Sequence, residues 1–170
     1  MKNLMKLLVV AMIAVSTITV ANAQTLKFGH IDLNALVQVM PERATAEADF
    51  NKFQTEMEDI YGDMQKDYQA KLQEFEQMGN DVSEIKKNAK VAEIQDMQQR
   101  MQNYQVTAQQ QLQQKQNELM KPIYDKAENA IGEVAKEQGL IYVFETNSLL
   151  YKSNQSIDVL PLVKTKLGIQ

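Results

Sequence analysis

These 170 residues contain no cysteine and no tryptophan, and only 6 glycines, 3 prolines and 1 histidine. Without cysteine there is no disulfide, no thiolate nucleophile or zinc ligand, and no N-terminal cysteine to carry a lipid. The single histidine, His30, has no second imidazole or thiol with which to complete a metal site, so it reads as structural. No glycine-rich phosphate loop and no Ser/His/acid set stands out. We therefore expect no enzyme: no catalytic, cofactor-binding or metal-binding residues, and no cofactor. Scarce glycine and proline also mean little punctuation, which favours long regular elements.

The N-terminus reads as a secretory signal. Lys2 and Lys6 precede a continuous apolar run from Leu7 to Val15, too short to span a bilayer. Ser16, Thr17 and Thr19 lead to Ala21-Asn22-Ala23, an A-x-A cleavage site, so residues 1–23 are expected to be removed and the exported chain to begin at Gln24. The remaining chain carries 16 basic and 22 acidic residues. That balance argues against nucleic-acid binding, which needs a basic face against phosphates.

Residues 41–121 are almost uninterrupted helix in pattern. Phe50, Phe53, Met57, Ile60, Met64, Tyr68, Leu72, Phe75 and Met78 recur at steps of three and four. Beyond the turn Gly79-Asn80-Asp81, Met97, Met101, Tyr104, Ala108 and Leu112 do the same. They run through a tract in which 11 of the residues 95–116 are glutamine, a good helix former that brings no charge. Pro41 suits a first helical position, and Asp81 with Glu84 has the spacing of a capping box. Pro122 deletes a hydrogen bond, and a kink is expected there. Residues 41–78 and 83–121 make two rods of nearly equal length, roughly 57 to 59 Å each. They are expected to fold back as an antiparallel coiled-coil hairpin with Met57 near Tyr104, Ile60 near Met101, Met64 near Met97 and Tyr68 near Ile94. The acids of residues 42–76 read as solvated helix surface.

Outside this arm, residues 24–40 and 122–170 form a small β-containing body, so residues 24–170 are expected to be a single α+β domain. Leu26–Asp32 reads as a strand and Asn34–Met40 as a short helix. Ile141–Glu145 and Leu149–Lys152 read as a β-hairpin around Thr146-Asn147-Ser148. Gly139 is placed to end the preceding helix. A last helix is expected after Asp158, with Pro161 in its first turn and Ile157 stapled onto Leu162. A body this small, without disulfide or metal, is marginal alone, so self-association is expected. Alternation alone does not say whether Val143 or Phe144 faces the core. Asn154-Gln155-Ser156 matches a glycosylation sequon, a weak three-residue signal.

The stretch KQNELMKPIYDKAENAIGEVAKEQGLIYVFETNSLLYKSNQSIDVLPLVKTKLG, Lys115–Gly168, resembles the C-terminal part of the Skp/OmpH family of periplasmic chaperones. KFGHIDLNALVQVMPE, Lys27–Glu42, is similar to that family's first strand and short helix. The resemblance implies a periplasmic homotrimer with a β-sheet body and three helical arms, holding unfolded outer-membrane β-barrel proteins without ATP. It also implies a peripheral contact with the membrane surface or lipopolysaccharide. Family members are often described as basic, whereas residues 41–121 hold 10 basic and 15 acidic residues, with Lys86, Lys87 and Lys90 as the one basic cluster. From the residues alone, a structural coiled-coil spacer or adaptor of the cell envelope is the alternative. A spacer seals its apolar seam, whereas a holdase leaves mobile apolar surface, for which the soft side chains of Met57, Met64, Met78, Met97 and Met101 are suited.

Overall fold

A computed structural model describes residues 26–169; the signal segment expected over residues 1–23 lies outside them. Strand β1 (Lys27–Ile31) ends at Asp32, whose carboxylate accepts from the Ala35 backbone N–H at 2.8 Å and so starts helix α1 (Leu33–Val39). The neighbouring Leu33 N–H donates to Glu145 at 3.0 Å, so a second carboxylate serves the same helix start. Pro41 holds Met40 extended, at φ −70° and ψ 129°, which breaks α1 from the next helix, and then occupies that helix's first position as expected.

Helix α2 (Pro41–Glu76) and helix α3 (Glu84–Gln138) contain 36 and 55 residues. The capping box expected from Asp81 and Glu84 does not form. Ser83 is the extended residue before α3, its carbonyl accepts from Lys86 and Lys87, and Asp81 stays in the turn. Pro122 lies inside α3 and the helix runs on through it. The missing hydrogen bond is tolerated because packing holds both flanks, with Leu119 and Met120 half-buried before the proline and Ile123, Ala127, Ala130 and Val134 buried after it. Gly139 ends α3 in the left-handed region, at φ 64°, where a side chain is disfavoured.

The expected β-hairpin is absent. Strand β2 (Leu140–Glu145) lies parallel to β1, and strand β3 (Ile157–Asp158) lies parallel to β1 on its other side, giving the order β2-β1-β3. Leu149–Lys152 is not a strand; a 3₁₀ turn (Thr146–Ser148) leads into an irregular segment that crosses to β3. The β-forming residues of that segment misled because such preference reflects a fit to a half-buried pleated surface, and Leu150 and Tyr151 have none to pack on. Helix α4 (Leu160–Lys166) follows, with Asp158 accepting from Leu160 N–H at 3.0 Å. Ile157 packs against the core, and Leu162 stays 38% exposed.

The core lies between this sheet, α1, α4 and the C-terminal third of α3. Leu36, Val134, Val159 and Val163 are fully buried there, beside Ile31, Val37, Met40, Ile123, Ala127 and Ala130. Gly29 belongs to the same face: a Cβ there would stand 2.7 Å from Leu140 Cδ1, so the glycine lets β1 and β2 share the core side closely. The mostly helical chain with its small sheet is thus of the α+β class. Truncating Leu36 to alanine leaves a cavity that its packed neighbours cannot fill, and denaturant unfolding is expected to register a loss of about 2–5 kcal/mol. The same change at Val106, which is 60% exposed, is expected to cost under about 0.5 kcal/mol.

Candidate functional site

Alternation along β1 and β2 sorts their side chains onto two faces. Ile31 and Val143 turn to the core, and an irregularity in the ladder near Ile141 turns Leu140 in with them. Phe28, Tyr142 and Phe144 point the other way and gather into one group. Phe28 lies nearly parallel to Tyr142 at 6.4 Å between ring centroids, Phe28 and Phe144 are also 6.4 Å apart, and Tyr142 and Phe144 are 5.8 Å apart. The three are 39%, 60% and 43% exposed. The choice between Val143 and Phe144 is thereby settled: Val143 is the core residue and Phe144 lies on the open face. Large apolar side chains grouped on an uncovered sheet face mark an interaction surface.

His30 shares that outer face but is only 5% exposed, because the segment leading to β3 covers it. Its Nδ1 lies 2.9 Å from Ser156 Oγ and its Nε2 lies 3.1 Å from Lys152 Nζ. Both ring nitrogens are thus engaged by side chains. No group of three His, Cys, Asp or Glu stands close enough to hold a metal ion among the described residues.

The second surface is the long flank where α2 meets α3. Tyr104 Oη donates to the Met57 carbonyl at 3.1 Å, which matches the expected pairing. Gln105 donates to Tyr61 Oη and Gln98 to Tyr68 Oη, each at 2.6 Å, the latter one turn beyond Ile94, where Tyr68 was expected to lie. The apolar seam between α2 and α3 is only partly closed. None of Phe50, Phe53, Met57, Met64, Tyr68, Leu72, Phe75 or Met78 is fully buried, Ile60 is 44% exposed, and only Ile94 and Met97 on the facing stretch of α3 are buried. Open grooves run along this flank. One of about 420 Å³ is lined by Met57, Tyr61, Tyr104, Ala108 and Leu112, and another of about 780 Å³ by Gly62, Tyr68, Ala70 and Met101. The face that α3 turns to solvent from Met101 to Gln114 carries no charged residue at all.

Nearer the tip the two helices are joined by ion pairs. Lys90 binds Glu74 at 2.7 Å and Glu93 at 3.1 Å, and Lys71 binds Glu93 at 3.1 Å, so two lysines and two carboxylates tie the helices together. Hydrogen bonding from Lys90 holds the Glu74 carboxyl below its ordinary value, and hydrogen bonds from Lys71 and then Lys90 do the same to Glu93. The hydrogen bonds to Glu74 and Glu93 raise Lys90 in turn. Lys87 also lies 3.9 Å from Glu84. The expected basic cluster of Lys86, Lys87 and Lys90 is therefore broken up, with Lys90 consumed as a cross-link. At the base, Lys126 pairs with Glu42 and joins the start of α2 to α3.

Comparison with known proteins adds two findings. The family model described as "Outer membrane protein (OmpH-like)" matches residues 27–167. An uncharacterized protein of Aquifex aeolicus is 27% identical over 138 residues, which cover 81% of this chain and 84% of that protein.

The tip ion pairs set a pH dependence. Lowered carboxyls contribute above their ordinary value of 4.5, and that contribution is lost as pH falls through their lower folded values. Raised Lys90 contributes below its ordinary 10.5, and that contribution is lost as pH climbs through its higher folded value. Spin labels placed through cysteines at Glu76 and Asn88 should therefore report a fixed separation at neutral pH and a broadened one below pH 4.5. Lys90→Met should show the broadened distribution already at neutral pH.

Proposed function

The chain belongs to the outer membrane protein (OmpH-like) family, and on that premise we propose that it is an ATP-independent periplasmic holdase. In this reading it binds unfolded outer-membrane β-barrel proteins and prevents their aggregation. The body, residues 24–40 and 122–170, assembles three copies, and the antiparallel hairpin of residues 41–121 projects from it as an arm. Family members are chaperones of the periplasm rather than enzymes, and no helix among the described residues is long and apolar enough to cross a membrane.

One observation carries the reading: the apolar seam of the arm is left half-open along its length. A spacer gains by closing such a seam, since each Å² of apolar surface removed from water stabilises by roughly 25 cal/mol. Here Ile60 and Val106 remain exposed, and the methionines and tyrosines of the seam line open grooves. Soft, mobile side chains over a long surface can meet many sequences without fixing the structure of any. Many small contacts of this kind hold a client and let it go without nucleotide. The aromatic face of Phe28, Tyr142 and Phe144 supports the assembly, because sister copies bring the same apolar surface and cover it.

The arm carries net charge −5 over residues 41–121, so attraction of an acidic client at long range plays no part. Charge effects between exposed groups fade within about 8 Å at physiological salt. Stoichiometric protein should therefore suppress aggregation of an unfolded β-barrel client without ATP, with affinity changing by less than about threefold from low to high salt. Binding that collapses with salt, and is abolished by changing Lys86, Lys87 and Lys90 to Glu, would place capture at the tip and overturn the hydrophobic reading. Phe144→Glu should yield folded single copies with weakened holding. Val143→Glu should unfold the body outright, as a charge enters the core.

A further inference from the structure

The proposed holding function makes no use of His30, the one buried polar residue of the described chain. An ammonium group donates hydrogen bonds and has no lone pair to accept one. Lys152 Nζ, 3.1 Å from Nε2, therefore donates, and Nε2 holds the ring's lone pair. Nδ1 then carries the hydrogen and donates to Ser156 Oγ at 2.9 Å. Both partners come from the segment that links the 3₁₀ turn to β3. The backbone bonds of that segment are local, Leu149 N–H to Thr146 and Ser156 N–H to Ser153, and β3 pairing begins only at Ile157. The same segment presents Leu150 and Tyr151, the former fully exposed and the latter 81%. His30 is thus the side chain that fastens an otherwise unpaired segment, with its apolar pair, to the outer face of the sheet.

We propose that the His30–Lys152 contact is a proton-sensitive latch on this segment. A second proton on the ring takes the Nε2 lone pair and leaves two donors facing each other. Lys152 must then withdraw, and residues 149–153 come away from the sheet. Among the described residues, the carboxylates nearest His30 already accept from other donors. Asp158, the neighbour of His30 on β3, accepts from Leu160 N–H; Glu145, at the end of β2, accepts from Leu33 N–H and from Asn147; Asp32 accepts from Ala35 N–H. The only other titratable group on the segment is Tyr151, which points to solvent.

Since His30 is the only histidine, its ring C–H signal in the full-length exported chain reports its protonation without overlap. Hydrogen exchange of residues 149–156, corrected for intrinsic rates, is measured alongside it between about pH 8 and pH 5. Protection of the segment is expected to fall by about tenfold as the His30 signal titrates. In Lys152→Glu the carboxylate accepts from the protonated ring, so the trend should reverse and acid should tighten the segment. Lys152→Gln should flatten it, since the amide can turn to donate or accept. The proposal is overturned if His30 titrates while the wild-type segment keeps its protection, or if Lys152→Glu loosens with acid as the wild type does. The tip carboxyls of Glu74 and Glu93 lie outside this window, since their lysine partners hold both below the ordinary 4.5. Sedimentation at each pH separates loosening of the segment from loss of the proposed assembly, which uses the same sheet face.

Discussion

Packing of the C-terminal third of α3 against the sheet is the interaction on which the rest of the molecule depends. Ile123, Ala127, Ala130 and Val134 supply one wall of the core, and Leu36, Val159 and Val163 close it. The alanines let the helix approach closely, and Val134 fills the space that remains. Because α3 runs unbroken from Glu84 to Gln138, the same rod that completes the core also forms half of the helical flank. The orientation of that flank is thus fixed at one end only. Lys126 with Glu42 at its base and Lys90 with Glu74 and Glu93 toward its tip keep α2 alongside. Between those two clamps the contact is held by half-buried tyrosine and methionine and by exposed glutamine, which are easily rearranged.

The body resolves one problem and creates another. Inserting α1, α2 and α3 between β1 and β2 makes a parallel pair, and one face of the sheet packs on the helix that returns from the arm. The opposite face has no such cover. The segment before β3 shields His30 but leaves Phe28, Tyr142 and Phe144 bare. Three grouped aromatic rings, one pair nearly parallel and two tilted, are left there, and in the proposed assembly the same face of sister copies covers them. The proposed assembly rests on this single feature: the core is built on one side of the sheet.

Long elements were legible in the sequence because their signal is long. Periodicity over residues 41–121 defined both helices, the Met57–Tyr104 contact fell where equal rods around one turn place it, and Pro41 and Gly139 marked boundaries correctly. Short elements were not. Leu149–Lys152 has strand composition, but whether it pairs depends on which edge of β1 is free, and no local pattern encodes that. The cap of α3 shifted from Asp81 to Ser83 because capping depends on backbone angles as much as on residue type. The basic cluster near the tip dissolved for a similar reason: Lys90 is adjacent to Lys86 and Lys87 in sequence, but in space it belongs to Glu74 on the other helix. The outer aromatic group lacked only the knowledge of which parity faces the core, since Phe28, Tyr142 and Phe144 all sit at alternating positions.

The account comes down to whether the aromatic sheet face is a joint between copies. The direct measurement is the mass of residues 24–170 in solution at micromolar concentration, by sedimentation and native mass spectrometry together. The account predicts a single species of three copies, with Tyr142 protected from surface labelling. A folded single copy that persists at that concentration, with Tyr142 open to the label, would contradict it.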